Sequence, residues 1–164
     1  GGMIRVYSEV GRGTVFHVYL PIREGKTDKQ SVAAASPPRG HEHILFVDDE
    51  ELLLKIGAEM LQSLGYTVTT AKNGSVAFDL LSRNPAAFDL LITDHAMPQA
   101  TGFELAKKAL AVRPDLPVIL CTGYSEAVSE EKAKAAGIHS FILKHLTLQA
   151  LAQVTRSTLD MNKS

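Results

Sequence analysis

Three carboxylates, one hydroxyl and one ammonium stand at the ends of apolar stretches of this sequence. The stretch "HILFV" runs directly into Asp48 and Asp49, and "FDLLIT" is followed directly by Asp94. Thr122 follows "PVILC", and Lys144 follows "HSFIL". If these stretches are parallel strands of one sheet, their carboxyl ends share the edge at which open α/β sheets bind ligands. The five side chains are therefore predicted to lie together.

Such a set of side chains suits magnesium-dependent phosphoryl transfer. Carboxylates that lie within a few ångströms of each other need a divalent cation to stay ionised, and all-oxygen ligation is typical of Mg²⁺. One carboxylate can act as a nucleophile and become an aspartyl phosphate. A lysine ammonium and a threonine hydroxyl are suitable partners for the phosphoryl oxygens.

Each of the five residues also has a simpler explanation. Asp48 or Asp49 could cap the helix that follows, and Asp94 could begin a turn in "DHAMP". Thr122 before a glycine is common in turns, and Lys144 could be an ordinary surface lysine. Taken one at a time these explanations are reasonable, but together they require five polar residues to fall at strand ends by accident. The pattern favours a joint site.

The elements that position these residues are predicted over residues 41–162, where apolar stretches alternate with amphipathic segments. The strands are "HILFV", "YTVTTA", "FDLLIT", "PVILC" and "HSFIL", and the helices lie near 50–64, 73–83, 102–112, 129–137 and 147–159. The first helix is predicted to bury Leu53, Ile56, Met60 and Leu64. Five βα units predict an α/β fold, a doubly wound three-layer sandwich.

The first forty residues have a different character. Residues 1–22 alternate apolar and polar residues around "GRG", which predicts a β-hairpin. Residues 23–40 are polar and alanine-rich and contain a Pro-Pro pair, which predicts a flexible linker between the hairpin and the domain at 41–162.

The composition limits the class of protein. A hydrophobic share of 45% and a charged share of 21% over 164 residues are typical of a soluble globular protein. The net charge of −1 lacks the basic excess of nucleic-acid-binding surfaces. One cysteine fits a reducing compartment, and neither a signal peptide nor an apolar run of about 20 residues is present. We expect a cytoplasmic protein that binds neither nucleic acid nor membranes.

Residues from His43 to about Leu159 resemble the receiver (response-regulator) domain of two-component signalling. The motifs are "ILFVDDEE", "LGYTVTTAKNGSVAFDLL", "DLLITDHAMPQATGFEL", "PVILCTGY" and "FILK". The resemblance implies a flavodoxin-like (βα)5 fold with a parallel sheet in the order 2-1-3-4-5. It also implies a role for each residue of the site. Asp94 is the phospho-acceptor, Asp48 and Asp49 hold Mg²⁺ together with Asp94 and the backbone carbonyl of Ala96, Thr122 and Lys144 bind the phosphoryl group, and Phe141 is the aromatic that changes rotamer on activation.

Two departures from the family pattern concern loops beside the site. The family usually has proline, commonly with a cis bond, where this chain has His145. A cis bond before any other residue costs about 2.5–4 kcal/mol, so a trans bond and a rearranged loop are expected. The motif "MPxMDG" is replaced by "MPQATG", with Ala100 and Thr101.

Residues 1–22 resemble the last two strands of a histidine-kinase ATP-binding domain, with "GRGT" similar to its last glycine box. The segments that would hold adenine and most of the phosphates are absent, so this piece is not expected to act as a kinase. A receiver after a kinase indicates a hybrid sensor kinase. The implied partners are a phosphohistidine domain of the same parent protein and a histidine phosphotransfer protein.

Other functions remain open from the sequence. A docking module that never takes up phosphate would keep the fold but not the chemistry, and His145 leaves this alternative standing. An aspartyl-phosphate phosphatase resembles a pattern with a second Asp two residues after the nucleophile, where this chain has Ala96. A transition-metal pair at His41 and His43 has no further ligands at suitable spacing.

Overall fold

The computed structural model describes residues 2–21, 36–123, 137–144 and 146–161 and forms two compact units, 1–35 and 36–164. The described residues leave out most of the predicted linker, all but the last residue of the predicted helix near 129–137, and His145. The expected trans bond before His145 is therefore not tested. Within the described ranges, no helix is long and apolar enough to cross a membrane.

The first unit is the predicted hairpin. Strand β1 (Met3–Glu9) pairs antiparallel with β2 (Gly13–Tyr19). Gly11 in the turn and Gly13 at its end have positive φ angles of 78° and 99°, which favour glycine. The cross-strand pairs Ile4–Val18 and Val6–Phe16 fall on one face, and all four side chains are exposed.

The second unit is a parallel sheet with helices on both faces. Its elements are β3 (His43–Val47), α1 (Glu51–Ser63), β4 (Thr67–Ala71), α2 (Gly74–Arg83), a short 3₁₀ turn (Pro85–Ala87), β5 (Leu90–Asp94), α3 (Gly102–Val112), β6 (Val118–Thr122), β7 (Ser140–Leu143) and α4 (Leu148–Met161). The strands lie in the order β4-β3-β5-β6-β7 and all pair in parallel. This is the order 2-1-3-4-5 within the domain, so the predicted fold class is confirmed.

The central strands are apolar up to their carboxyl ends because helices cover both faces of the sheet. Every residue of β5 and β6 is buried. One core cluster joins the sheet to α2 and α3 through Leu81 and Leu105, and the other joins it to α1 and α4 through Leu61 and Leu151. The result is the three-layer sandwich.

The buried face of α1 matches the predicted one in part. Leu64, just after the helix, is buried and Met60 packs against the core, as predicted. Ile56, however, is 39% exposed, and the helix also buries Gly57, Ala58 and Leu61. A side chain at Gly57 would lie 2.5 Å from the ring of Phe46, so the glycine lets the helix backbone pack directly on β3. Glycine has no side chain to contribute to an apolar periodicity, so the sequence pattern did not predict this close contact.

The chain enters the domain beside the end of α1. Arg39 donates to the carbonyl of Ser63 at 3.0 Å, and the Gly40 N–H donates to the carbonyl of Leu64 at 3.1 Å. The buried carboxylate of Glu42 forms a bidentate pair with Arg156 of α4 at 2.9 and 3.1 Å. This pair joins the start of the domain to its last helix.

Candidate functional site

The strand ends bring the predicted residues to one edge of the sheet. Asp94 closes β5 opposite Cys121, and Thr122 closes β6. The N–H of Lys144 donates to the Thr122 carbonyl at 2.8 Å, which extends the ladder one residue beyond β7. Asp48 follows β3, and its N–H donates to the carbonyl of Ala71 at 3.3 Å. Backbone hydrogen bonds of the sheet therefore fix the Cα positions from which the functional side chains extend.

The three aspartates form one acidic cluster. Each of Asp48, Asp49 and Asp94 offers a carboxylate oxygen, and these oxygens all lie within 4.8 Å of one another. Asp48 and Asp94 are buried, and Asp49 is exposed. The Glu50 N–H donates to Oδ1 of Asp48 at 2.9 Å and fixes the orientation of that carboxylate. Three carboxylates so close need a positive charge nearby.

Lys144 supplies that charge. Its Nζ lies 3.0 Å from Oδ1 of Asp94, 3.8 Å from Oδ2 of Asp48 and 3.9 Å from Oε1 of Glu50. The Asp94 side chain is fully shielded from solvent, and among the described residues its carboxylate oxygens have no polar side-chain partner within hydrogen-bond distance other than Lys144. The ion pair with Lys144 is therefore the main compensation for the buried charge of Asp94.

The electrostatics follow from burial and crowding. Burial raises the pKa of the Asp48 carboxyl, and the charges of Asp94 and Asp49 act in the same direction. The Glu50 N–H and the Lys144 ammonium oppose this rise without cancelling it. Burial alone would lower the pKa of Lys144, but its contacts with the surrounding carboxylates outweigh burial and raise that pKa. The site therefore favours the charged form of Lys144 and disfavours the ionised form of Asp48.

The loop from β5 to α3 packs against the backbone of Asp94. A side chain at Gly102 would place its Cβ 2.0 Å from the Asp94 carbonyl oxygen, so only glycine fits. Thr101 caps α3 by accepting from the Glu104 N–H at 3.2 Å, and Glu104 accepts from the Thr101 N–H at 3.0 Å. Thr101 thus replaces the aspartate of "MPxMDG" with a complete capping box.

The site fits Mg²⁺. Its donors are all oxygens, which is the ligand type that this ion prefers. The buried Asp94 carboxylate contacts only the Lys144 ammonium among the described side chains, and the pKa of Asp48 is raised. Both observations indicate that negative charge exceeds positive charge in the cluster. A divalent cation would supply the positive charge that the Lys144 ammonium supplies only in part.

The remaining predicted residues surround this cluster. Thr122 is buried at the edge, Ala96 is exposed in the loop after Asp94, and Phe141 is partly buried against the core. Cys121 is packed inside, and burial together with the charges of Asp94 and Asp48 raises the pKa of its thiol to about 12. The thiol is therefore protonated at neutral pH and takes no part as a nucleophile.

Comparison with known proteins identifies the family. The family model for the response regulator receiver domain matches residues 44–156, which is more than half of the chain. The chain belongs to the response regulator receiver domain family. The matched residues include all of the acidic cluster and Lys144. Homology to phosphorelay receivers supports a phospho-accepting role for this receiver domain.

Curated relatives of the receiver domain include sensor kinases. The sensor kinase CckA of Brucella abortus is 32% identical over 169 residues, which cover 98% of this chain and 18% of the relative. The sensor histidine kinase RcsC of Salmonella typhi is 34% identical over 110 residues, or 67% of this chain and 11% of the relative. The chain thus spans less than a fifth of either relative.

Two solved structures each resemble the receiver domain over nearly the whole length of the solved chain. A receiver domain protein from Clostridium thermocellum has a TM-score of 0.71 and 25% identity, covering 74% of this chain and 97% of that chain. A CheY-like receiver domain protein from Methanospirillum hungatei has a TM-score of 0.69 and 27% identity, covering 76% and 98%. The compared fold is that of the unit at 36–164.

Two features of the receiver domain were not predicted from the sequence. Glu50 was assigned only to the start of the first helix, yet its carboxylate also faces Lys144. Gly102 was not singled out, although it lets α3 approach Asp94. The capping box at Thr101 was not predicted either, although the "TGFE" sequence contains its signature, Thr followed three residues later by Glu.

Proposed function

We propose that the receiver domain takes a phosphoryl group from a phosphohistidine onto Asp94 with Mg²⁺ and changes conformation in response. The observation that carries this proposal is the buried Asp94 carboxylate, paired with Lys144 at 3.0 Å and close to Asp48 and Asp49. An aspartate surrounded in this way has the charge and the partners that a phosphoryl acceptor requires.

Asp48, Asp49, Asp94 and the backbone carbonyl of Ala96 would hold the Mg²⁺ ion. When bound, the ion neutralises negative charge on the carboxylates and on the phosphoryl oxygens. The protein orients its ligands beforehand, since the Glu50 N–H fixes the Asp48 carboxylate and the sheet fixes the Asp94 backbone. Exposed Asp49 lies on the solvent side of the cluster.

In the transfer step, a carboxylate oxygen of Asp94 forms a bond to phosphorus while the phosphorus–nitrogen bond of the phosphohistidine breaks. The imidazole leaves with the bonding electron pair. The Lys144 ammonium, already beside Oδ1 of Asp94, moves to a phosphoryl oxygen and balances its charge. The protein mainly positions the groups and neutralises charge, as phosphoryl transfer requires.

Thr122 and Phe141 would convert phosphorylation into a conformational change. Thr122 stands at the end of β6 beside the site, and its hydroxyl would bind the phosphoryl group. Phe141 lies in the neighbouring strand β7, opposite Leu120, and is only partly buried, so its ring has room to change rotamer. Phosphorylation would then shift the population between two conformers.

The phosphoryl donor would be the phosphohistidine domain of a histidine kinase, and a histidine phosphotransfer protein would be a further partner. The transfer would take place in the cytoplasm. The hairpin at 1–22 would be the last part of a kinase ATP-binding domain, and 23–40 the linker to the receiver domain at 41–162. The match to the Brucella sensor kinase supports this arrangement because it covers 98% of the chain and so extends over the hairpin.

Nuclear magnetic resonance titration tests the proposal against the docking alternative. Mg²⁺ should shift the backbone resonances next to Asp48, Asp49 and Asp94, and beryllofluoride, a mimic of the phosphoryl group, should then shift those of Thr122 and Lys144. Asp94→Asn should lose the second response. A chain that shows neither response, even though it is folded, would be a docking module.

A further inference from the structure

Lys144 faces three carboxylates, and one of them is outside the acidic cluster. Its Nζ lies 3.0 Å from Asp94, 3.8 Å from Asp48 and 3.9 Å from Oε1 of Glu50. Asp48 and Asp94 belong to the cluster, whereas Glu50 precedes α1 and has a side chain that is 65% exposed. Glu50 therefore keeps its charge available to Lys144 when the two aspartates are engaged by other groups.

The side chain of Glu50 has no capping role that would explain its position. Glu50 is the N-cap residue of α1, but its carboxylate makes no capping hydrogen bond. Its contribution to the site through the backbone, the N–H donated to Asp48, does not depend on its side chain. A substitution at Glu50 can thus change the contact with Lys144 and leave the acidic cluster in place.

We propose that Glu50 is a positioning residue that holds the Lys144 ammonium toward the rim of the site and competes with an incoming phosphoryl group for it. The inference rests on the proposed function, in which Lys144 moves to a phosphoryl oxygen. That movement breaks the contact with Glu50, so the glutamate weakens the binding of the phosphoryl group. Because the ion pair is exposed, the effect is modest, about twofold to fivefold in affinity.

The test is the affinity for beryllofluoride at saturating Mg²⁺, measured by resonance titration of the 164-residue chain. Glu50→Gln removes the charge, and Glu50→Asp keeps the charge but shortens the side chain so that it no longer reaches Lys144. Glu51→Gln is the matched control, since Glu51 is the next residue, is also exposed and makes the same change in net charge. A second readout is the side-chain ε-methylene resonance of Lys144.

Glu50→Gln and Glu50→Asp should both bind beryllofluoride about twofold to fivefold more tightly than wild type and should both shift the Lys144 resonance. Glu51→Gln should do neither. Equal affinities for Glu50→Gln and Glu51→Gln would overturn the proposal, as would weaker binding by Glu50→Gln. If Glu50→Asp matched wild type, the effect would come from charge at a distance, and the proposed contact would be wrong.

The wild-type titration separates this inference from the proposed function. If wild type does not respond to beryllofluoride at all, the phospho-accepting assignment of Asp94 fails and the role of Glu50 fails with it. If wild type responds and Asp94→Asn does not, the proposed function stands. The comparison of the Glu50 and Glu51 variants then decides the inference alone.

Discussion

The Lys144 ammonium lies 3.0 Å from Oδ1 of Asp94, whose side chain is fully shielded from solvent. Lys144 follows strand β7 and Asp94 is the last residue of β5, and these two strands are separated in the sheet by β6. The contact depends on the Lys144 N–H, which donates to the Thr122 carbonyl at the end of that middle strand. Because the Lys144 ammonium faces several carboxylates, negative charge exceeds positive charge among the described side chains of the site, and the effect of removing Asp48 depends on that excess.

Asp48→Asn is expected to stabilise the fold in Mg²⁺-free buffer at neutral pH. Burial raises the pKa of Asp48 in the folded state, so its ionised form destabilises the fold. This destabilisation is present above the folded pKa and is lost as the pH falls through it. Urea denaturation at pH 7 should show a gain of about 1 kcal/mol in the free energy of unfolding.

The matched control is Asp49→Asn, which removes the same charge from an exposed carboxylate and should give a smaller gain. Both variants should lose most of the stabilisation that Mg²⁺ confers on wild type. The electrostatic account is contradicted if Asp48→Asn is less stable than wild type without Mg²⁺, or if its stability advantage grows as the pH is lowered.

Gly102→Ala is expected to destabilise the domain and to impair phosphorylation together. The new Cβ would stand 2.0 Å from the carbonyl oxygen of Asp94, so the loop or the strand end has to move. Overpacking of this kind costs about 2 kcal/mol. Chemical denaturation measures the stability, and acetyl phosphate uptake measures the activity.

Gly74→Ala serves as the control for Gly102→Ala because Gly74 is likewise the first residue of a helix. Its new Cβ would meet its nearest neighbours, Ala100 and Leu105, at 3.8 Å, which is an ordinary contact. This variant should keep wild-type uptake and change stability by about 0.5 kcal/mol at most. Equal behaviour of the two variants would show that the close approach at Asp94 is unimportant.

Arg156→Met is expected to destabilise the domain far from the phosphorylation site. The variant keeps most of the side-chain stem but leaves the buried carboxylate of Glu42 without its bidentate partner. A loss of about 2 kcal/mol is expected in the free energy of unfolding. Asp160→Asn, which removes only the exposed partner of Arg156, should cost about 0.5 kcal/mol or less.

Thermal or urea unfolding of these two variants distinguishes the buried Glu42–Arg156 ion pair from the exposed Arg156–Asp160 ion pair. If Arg156→Met lowers the free energy of unfolding no more than Asp160→Asn does, other groups compensate the charge of Glu42, and the Glu42–Arg156 pair does not stabilise the packing of α4. Beryllofluoride binding by the folded fraction should be unchanged in both variants, since Arg156 and Asp160 lie in α4 and pair with each other and with Glu42, away from the acidic cluster.

The fold was predictable because each buried strand is a short, continuous apolar run that ends in a polar residue. Helices cover both faces of the sheet, so strands such as β5 need no polar alternation. The same runs located Asp48, Asp94 and Lys144, since the carboxyl ends of parallel strands share one edge.

Other features depend on distances that a linear pattern does not contain. The close packing of α1 on β3 requires Gly57, which has no side chain to contribute to an apolar periodicity. Glu42 and Arg156 are 114 residues apart, so only the folded chain shows their contact. The approach of Glu50 to Lys144 likewise depends on how two long side chains cross the edge of the sheet. The order of the elements was predictable from the sequence, whereas these contacts between side chains were not.

The intact mass of the chain after incubation with acetyl phosphate and Mg²⁺ tests the central claim most directly. Wild type should gain about 80 Da, one phosphoryl group, and Asp94→Asn should gain nothing. Asp79→Asn, which neutralises an exposed aspartate on α2, should gain the group as wild type does. Uptake by Asp94→Asn equal to that of wild type, or no uptake by folded wild type, would contradict the assignment of Asp94 as the acceptor.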